Sequence, residues 1–215
     1  ASPRIKRLQS DHKKVMARFK TSSLIDVRPV GSNKPPNKYV VTYKVNGLEN
    51  GKNGKIQKRS THEIELHLDL DYPRKGPKAQ MLTSIFHPNI NTTRICYGDH
   101  WTPQEHLDAL IIRIGEMITF QAHNTKSPLN GPAARWTDEN LHKLPVDGRD
   151  LFPPESIPTL RRRGRATVTI PTGSTYEDEG ATAKDDLEGS LTSKIKTTGL
   201  GFDTNQPGTH TIRYN

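Results

Sequence analysis

The chain is short of cysteine, of aromatic residues and of long apolar runs, and each shortage excludes something. Its one cysteine, Cys96, cannot close an internal disulfide, so a disulfide-stapled secreted scaffold is excluded. No stretch reads as a secretory signal peptide, and none approaches the roughly 18 consecutive apolar residues that a membrane span needs. A soluble, cytoplasmic protein is the expectation. Aromatic residues make up 6% and hydrophobic residues 31% of 215 positions, so the core has to be economical.

Charge, by contrast, is plentiful and unevenly placed. Residues 1–150 hold 24 Lys and Arg against 15 Asp and Glu, whereas residues 151–215 hold eight of each. A break of this kind suggests two units with different partners. Seven of the basic residues fall in the first twenty: Arg4, Lys6, Arg7, Lys13, Lys14, Arg18 and Lys20. They form either a solvated helix face or a docking face for an acidic protein. Elsewhere the basic residues form no one long run and no aromatic-and-basic stacking surface, so neither nucleic acid nor a membrane surface is expected as a partner.

Hydrophobic spacing outlines the first 150 residues. Ser2 followed by Pro3 fits a helix cap and first-turn proline, and Ile5, Leu8, Val15 and Phe19 recur at helical intervals. Four strand-like stretches come next: Leu24–Val27, Tyr39–Val45, His62–Leu70 and Lys78–Ile85. Tyr39, Val41, Tyr43 and Val45 share one face of the second. In the third, Ile64, Leu66, Leu68 and Leu70 oppose Glu63, Glu65, His67 and Asp69. This alternation suits a sheet with one wet face. Asn46 to Lys58, rich in Gly, Asn and Lys, reads as a hairpin loop. Thr102-Pro103-Gln104-Glu105 has the form of a capping box and predicts a helix start, followed by the apolar stripe Leu107, Leu110, Ile111, Ile114, Met117 and Ile118. The meander needs a cover on its inner face, and this helix supplies it.

Beyond Asp150 the texture changes. Residues 151–164, with Pro153, Pro154, Pro158 and Arg161-Arg162-Arg163, read as a linker. The remainder is rich in Thr and Gly and predicts short strands at Thr167–Ile170, Leu191–Thr197 and Thr209–Tyr214.

Chemistry concentrates on the irregular stretch of some fifteen residues before the capped helix. Unpatterned segments over a compact domain are commonly functional, and Cys96 lies in one. A lone cysteine is in general an inert, small hydrophobe. Here it stands among Asn89, Asn91, Arg94, Asp99 and His100, and an Asn amide can donate to an oxyanion formed during acyl transfer. A zinc site built from Cys96 with His87, His100 and His106 lacks paired ligands at short spacing. A cysteine hydrolase would need His100, His106 or His123 as base, with no hydrolase signature around Cys96. No metal or cofactor is expected.

Taken together, Tyr72-Pro73-x-x-x-Pro77, Phe86-His87-Pro88-Asn89-Ile90, Ile95-Cys96, Trp101-Thr102-Pro103 and Asn124-Thr125-Lys126-Ser127-Pro128-Leu129-Asn130 with Ala133-Ala134 resemble the core of ubiquitin-conjugating enzymes over residues 3–145. The resemblance implies an α+β fold: an N-terminal helix, a four-stranded antiparallel meander and C-terminal helices. It implies a transferase in which Cys96 accepts the C-terminus of a ubiquitin-like protein as a thioester and passes it to an amine on a target protein. Asn89 would stabilise the oxyanion or order the nearby loop. His87 would be structural, and Pro73 and Pro77 would shape a turn. Ser127, with Asn124 beside it, would stand at the gate for the incoming amine, where the family has Asp or Ser. Arg4, Lys6, Arg7, Lys13 and Lys14 would dock the activating enzyme. The spacings from His87 to Cys96 and from Cys96 to Trp101 are shorter than usual. They resemble those of bacterial members in modification operons, with antiphage defence as the implied setting. A non-catalytic module of the same fold that grips a tag is the competing expectation.

The tail resembles something else. Thr172-Gly173-Ser174-Thr175-Tyr176-Glu177-Asp178-Glu179-Gly180-Ala181, Asp186-Leu187-Glu188-Gly189-Ser190-Leu191-Thr192 and Pro207-Gly208-Thr209-His210-Thr211-Ile212 are similar to immunoglobulin-like β-sandwich repeats of bacterial surface proteins. A small all-β domain over 165–215 is therefore expected. Glu177, Asp178, Glu179, Asp185 and Asp186 form either a solvated acidic loop or a calcium site.

Overall fold

A computed structural model describes residues 2–98, 101–153, 158–185 and 189–215. Asp99, His100, Pro154, Asp186, Leu187 and Glu188, named above, lie outside the described residues. The chain divides into two compact units, Ala1–Pro154 and Glu155–Asn215.

The first unit opens with α1 (Pro3–Phe19), whose Ser2 cap accepts a hydrogen bond from Ile5 N. Four strands, β1 (Ile25–Pro29), β2 (Lys38–Tyr43), β5 (His62–His67) and β6 (Lys78–Met81), form an antiparallel sheet in the order β1-β2-β5-β6. Val41 sits opposite Val27 on one side and Ile64 on the other. Tyr39, Val41, Tyr43, Ile64 and Leu66 are fully buried, as the alternation requires. The cover is α1, through Leu8, Val15 and Phe19, and α2 (Leu107–Ile118), whose six predicted apolar positions all enter the same core.

Several boundaries differ from the sequence expectation. The predicted hairpin loop contains its own two-stranded sheet, β3 (Gly47–Asn50) with β4 (Ile56–Arg59). Leu48 anchors it in a second cluster with Phe86, Phe120 and Ala133. Leu70 does not join the inner face but is 86% exposed. The ladder of β5 stops at His67, and a turn closed by Tyr72 N to Asp69 O breaks the period of two before Leu70. The predicted capping box does not open α2, which begins at Leu107 after a His106 cap. Its backbone is engaged elsewhere, because the guanidinium of Arg7 donates to the carbonyls of Pro103 and Glu105. The Glu105 carboxylate pairs with Arg113 at 3.0 Å instead of folding back on a cap.

Past α2, Phe120 takes a left-handed backbone (φ 62°), which ends the helix and drops its ring into the second cluster. Next comes α3 (Gly131–Glu139), capped by Asn130, whose side chain accepts from Ala133 N at 3.1 Å. Asp147 then ties the end of the first unit to the turn after β2 by accepting from Asn46 N at 2.8 Å and from Arg149.

The second unit has a three-stranded antiparallel sheet, β7 (Thr159–Arg162), β8 (Ala181–Asp185) and β9 (Gly189–Ser190), and a two-stranded one, β10 (Thr197–Thr198) with β11 (Arg213–Tyr214). The stretch 151–164 is thus not all linker. Leu151 is buried in the first unit's core, and Arg161 and Arg162 lie in β7 opposite Thr182 and Ala181. Thr167–Ile170 finds no ladder partner among the described residues and is not a strand. Leu191–Thr197 contains a 3₁₀ turn (Thr192–Lys194) and pairs only at Thr197, and of Thr209–Tyr214 only the last two residues pair. The β7–β8 pairs join residues far apart in the chain, and composition does not reveal them.

Candidate active site

Cys96 ends a short extended strip that begins at Arg94. The turn before it is made by Asn91, whose Oδ1 accepts from the backbone nitrogens of Thr93 and Arg94, both at 2.9 Å. Successive amides then point to opposite sides. Ile95 N donates to Ala79 O on β6 at 2.8 Å, and Cys96 N donates to Asn89 O at 2.9 Å. Ile95 is buried, Arg94 is exposed, and Cys96 is half-buried. The strip therefore carries Cys96 between the sheet edge and the Pro88-Asn89 segment.

The thiol opens into a cavity of about 240 Å³ lined by Arg94, Ile95, Cys96, Tyr97, Gly98 and Trp101. Its two aromatic walls are fixed by hydrogen bonds to the turn after β5. Tyr97 Oη donates to Pro77 O at 2.6 Å, and Trp101 Nε1 donates to Pro73 O at 2.8 Å. Burial pushes the Tyr97 phenol up to about 12, which keeps it a donor at any ordinary pH. Gly76 lies so close beneath these rings that a Cβ there would collide with the Tyr97 hydroxyl and the Trp101 indole. Pro73 and Pro77 thus serve the cavity with their carbonyls. Nothing in the sequence pattern singled out Tyr97; an aromatic next to the cysteine was the only available signal.

Asn89 is 6% exposed, and its amide grips the backbone of Asn124 with both atoms: Nδ2 donates to Asn124 O and Oδ1 accepts from Asn124 N, each at 2.8 Å. Pro88 O accepts from Leu129 N at 2.8 Å and Asn130 N at 3.0 Å. The segment 124–130 is therefore pinned at both ends to Pro88-Asn89, with Ser127 exposed between the pins. Asn124 Oδ1 accepts from Lys126 N, which shapes the same loop. Of the two roles expected for Asn89, this geometry is that of loop ordering. One Nδ2 hydrogen remains beyond it.

His87 is fully buried, with Nδ1 accepting from Asn89 N at 3.0 Å and its ring 4.6 Å from that of Phe120. Burial drives its pKa down to about 3, so the imidazole is neutral and holds the turn into Asn89. His106 stands 3.4 Å from Asp11, at the foot of α1, and His123 faces Phe120. Among the described residues no histidine hydrogen-bonds the Cys96 thiol, and no group of three His, Cys, Asp or Glu is arranged to hold a metal.

The basic first helix is only partly available for docking. The Arg7 guanidinium turns inward onto Asp11 at 2.6 Å, onto the Tyr72 hydroxyl and onto the two carbonyls before α2. Arg4 donates to the carbonyls of Leu68 and Asp69. Both guanidinium groups are engaged within the fold, because backbone and carboxylate acceptors lie within reach of their long side chains. Lys6 and Lys13 are exposed and Lys14 is half-exposed.

In the second unit, Asp178 accepts from the Tyr214 hydroxyl and Asp185 is buried on β8. Glu177 and Glu179 are exposed, and among the described residues the acids form no group arranged to hold a metal. No helix among the described residues is long and apolar enough to cross a membrane.

Residues 11–144 match the family model described as Ubiquitin-conjugating enzyme, and residues 160–215 match that described as Bacterial surface protein, Ig-like domain. Among curated proteins the chain is similar to Ubiquitin-conjugating enzyme E2 N of Macaca fascicularis, 33% identical over 81 residues, covering 35% of this chain and 52% of that protein. It is similar to Ubiquitin-conjugating enzyme E2 N of Drosophila melanogaster, 35% identical over 79 residues (34% of this chain, 51% of that protein). It also matches Ubiquitin-conjugating enzyme E2 13 of Saccharomyces cerevisiae, 35% identical over 79 residues (34% and 50%). The chain spans about half the length of the curated relatives it matches. A solved structure, S. cerevisiae Ubc12, aligns with a TM-score of 0.49 at 22% identity, covering 65% of this chain and 73% of that one.

Proposed function

The chain belongs to the ubiquitin-conjugating enzyme family, and from that premise we propose that it is a transferase whose Cys96 carries a ubiquitin-like protein as a thioester. An activating enzyme hands over the tag's C-terminal carboxyl. An amine of a target protein then attacks the thioester carbon, the Cys96 thiolate leaves, and the amine proton passes to solvent.

The observation that carries this reading is the wiring of Cys96 to Asn89 and of Asn89 to the 124–130 loop. A thiol at a cavity mouth is thereby set beside a loop held in one shape, as positioning catalysis requires. Asn89 orders that loop, and its remaining N–H is the donor available to the oxyanion. Asn124 and Ser127 form the gate for the amine. Ser127 is a weaker proton acceptor than a carboxylate, so the amine is activated chiefly by placement. His87 acts through Asn89 as a neutral prop. Lys6, Lys13 and Lys14 are the docking cations left to α1 for the activating enzyme. We place the reaction in the cytoplasm of a bacterium, in a modification system of the antiphage kind. The match of residues 160–215 to a bacterial surface domain supports the bacterial origin, and tag and activating enzyme must share the compartment.

The test is incubation with the cognate activating enzyme, tag and ATP. The parent gives a higher-mass band sensitive to reducing agent, Cys96→Ser gives one that resists it, and Cys96→Ala gives none. A parent that forms no such band is a non-catalytic binding module.

A further inference from the structure

Around the Cys96 cavity the cations come in two kinds. Lys78 pairs with Asp69 at 3.2 Å, Arg113 with Glu105 at 3.0 Å, and Arg74 and Lys75 both with Asp71. Arg94 is different: among the described residues its side chain makes no hydrogen bond or ion pair. It lies two residues before Cys96 on an extended strip whose intervening Ile95 is buried, so Arg94 and Cys96 emerge on one face. Their Cα atoms are about 7 Å apart at that spacing, within the span of an arginine side chain. Arg94 lines the thiol cavity and also the adjoining cavity of about 390 Å³ over Glu65, His67, Lys78, Ala79 and Gln80. The acid in that second cavity, Glu65, faces Lys38 at 3.7 Å.

Any polypeptide joined to Cys96 through its terminal carboxyl must leave the thiol through this small, aromatic-walled cavity, and so it runs beside the Arg94 guanidinium. We infer that Arg94 reads the tail of the tag: the ubiquitin-like protein accepted at Cys96 bears an acidic side chain at the second, third or fourth residue from its C-terminus. This inference rests on the thioester-carrier reading and deepens it by naming the chemistry of the substrate's tail. The carboxylate and the guanidinium pair at the cavity rim, where Arg offers two parallel donors to one carboxylate. The acceptor amine meets the other side of the strip, where Cys96 N and Asn89 point toward the 124–130 loop.

The experiment uses synthetic five-residue peptides ending in a glycine benzyl thioester, with Glu or Lys placed in turn at the second, third and fourth positions from the end. The Cys96 thiolate attacks the peptide carbonyl carbon and expels benzyl thiolate, and the proton lost by Cys96 returns to the departing thiol through solvent. Acylation of the full chain is read by intact mass, with Cys96→Ala as background. The expected result is a preference for Glu over Lys of about three- to fivefold at one position, the size an exposed ion pair gives, fading in about 0.5 M salt. Arg94→Lys keeps the preference, Arg94→Ala abolishes it and Arg94→Glu reverses it. Equal acylation by Glu and Lys peptides, or a preference unmoved in Arg94→Glu, overturns the inference and leaves the carrier reading standing. Sensitivity to charge only in acceptor peptides during discharge also overturns it, since Arg94 would then read the target. Failure of every peptide to acylate Cys96 above background sinks the carrier reading and the inference with it.

Discussion

The side-chain amide of Asn89 and the backbone of Asn124 form a two-bond ring, each bond 2.8 Å long, that fastens the loop after α2 to the segment carrying Cys96. Removing it strands a backbone donor and acceptor in a half-buried place, which costs about 1–3 kcal/mol. Asn89→Ala is therefore expected to lower the unfolding free energy by that amount in urea titration. It should also slow discharge of a Cys96 thioester to free lysine by about tenfold or more, the size of effect lost with an oxyanion donor or a misplaced loop. Hydrogen exchange separates the two effects: amides 124–130 exchange faster in the variant if the loss of rate comes through the loop. An unchanged exchange pattern with slow discharge would assign Asn89 to the oxyanion instead.

Asp11 is the second linchpin. Its carboxylate is 1% exposed and accepts from Arg7 at 2.6 Å and from the Tyr72 hydroxyl at 2.5 Å. Arg7 also holds the carbonyls before α2, and Tyr72 lies 5.7 Å from the Trp101 ring, so α1 is joined through this pair to the cavity wall. Asp11→Ala leaves a half-buried guanidinium uncompensated and should cost about 3–5 kcal/mol. Tyr72→Phe removes one hydrogen bond and should cost about 1 kcal/mol. A double-mutant cycle on Asp11 and Tyr72 by chemical denaturation checks the coupling, which is expected to be non-zero because they share a bond.

Two buried histidines set the acid response. Burial lowers His62 to about 4 and His87 to about 3, both from an ordinary 6.5. In the unfolded chain each binds a proton below about 6.5, whereas the folded chain binds none until its lowered value is reached. Stability is thus complete above about pH 6.5 and falls as pH drops toward 4 and then 3. His62 alone accounts for about 3 kcal/mol of that loss, since each pH unit between its unfolded and folded pKa is worth about 1.4 kcal/mol. His62→Gln is expected to flatten the slope of unfolding free energy against pH between about 4 and 6.5. A slope equal to the parent's would show that His62 titrates normally.

Much of this was legible in sequence because it follows from period. Val41, Tyr43, Ile64 and Leu66 announced the sheet's inner face, and Leu107 through Ile118 announced α2. What sequence could not supply were bonds between distant residues. The capping box at Thr102 failed because Arg7, far earlier in the chain, takes the backbone carbonyls of Pro103 and Glu105. Arg4 and Arg7 looked like docking charges because composition does not say which way a long side chain turns. Asn124 and Ser127 came from resemblance to a family, and Asn89 from that and from its place near Cys96; their joining by Pro88 and Asn89 became visible only as hydrogen bonds. In the tail, ladder partners such as Leu160 and Ala183 carry no local signature.

Gly76→Ala tests the cavity wall directly. The added methyl would meet the Tyr97 hydroxyl and the Trp101 indole, which are hydrogen-bonded to Pro77 and Pro73 and cannot both retreat without losing those bonds. Overpacking of this kind costs about 1–3 kcal/mol. A shift in Trp101 fluorescence and slower peptide-thioester acylation of Cys96 are the expected outcomes. Parent-like fluorescence would mean that the turn moves instead.

The domain boundary offers the last test. Composition placed the end of the first unit at Asp150, yet Leu151 is 2% exposed in the core, and its Cδ1 would lie 2.8 Å from a Cβ on Gly115. Leu151→Ala should therefore cost about 2–5 kcal/mol, as buried leucine truncations do. A chain ended at residue 150 should suffer at least as much, because it also loses the hydrogen bond from Phe152 N to Asp150. A chain ended at residue 154 keeps Leu151 and both neighbours, and is expected to unfold at the first unit's parent midpoint in urea. Equal midpoints for the 150 and 154 endings would show that Leu151 does not hold the core, and would return the boundary to Asp150.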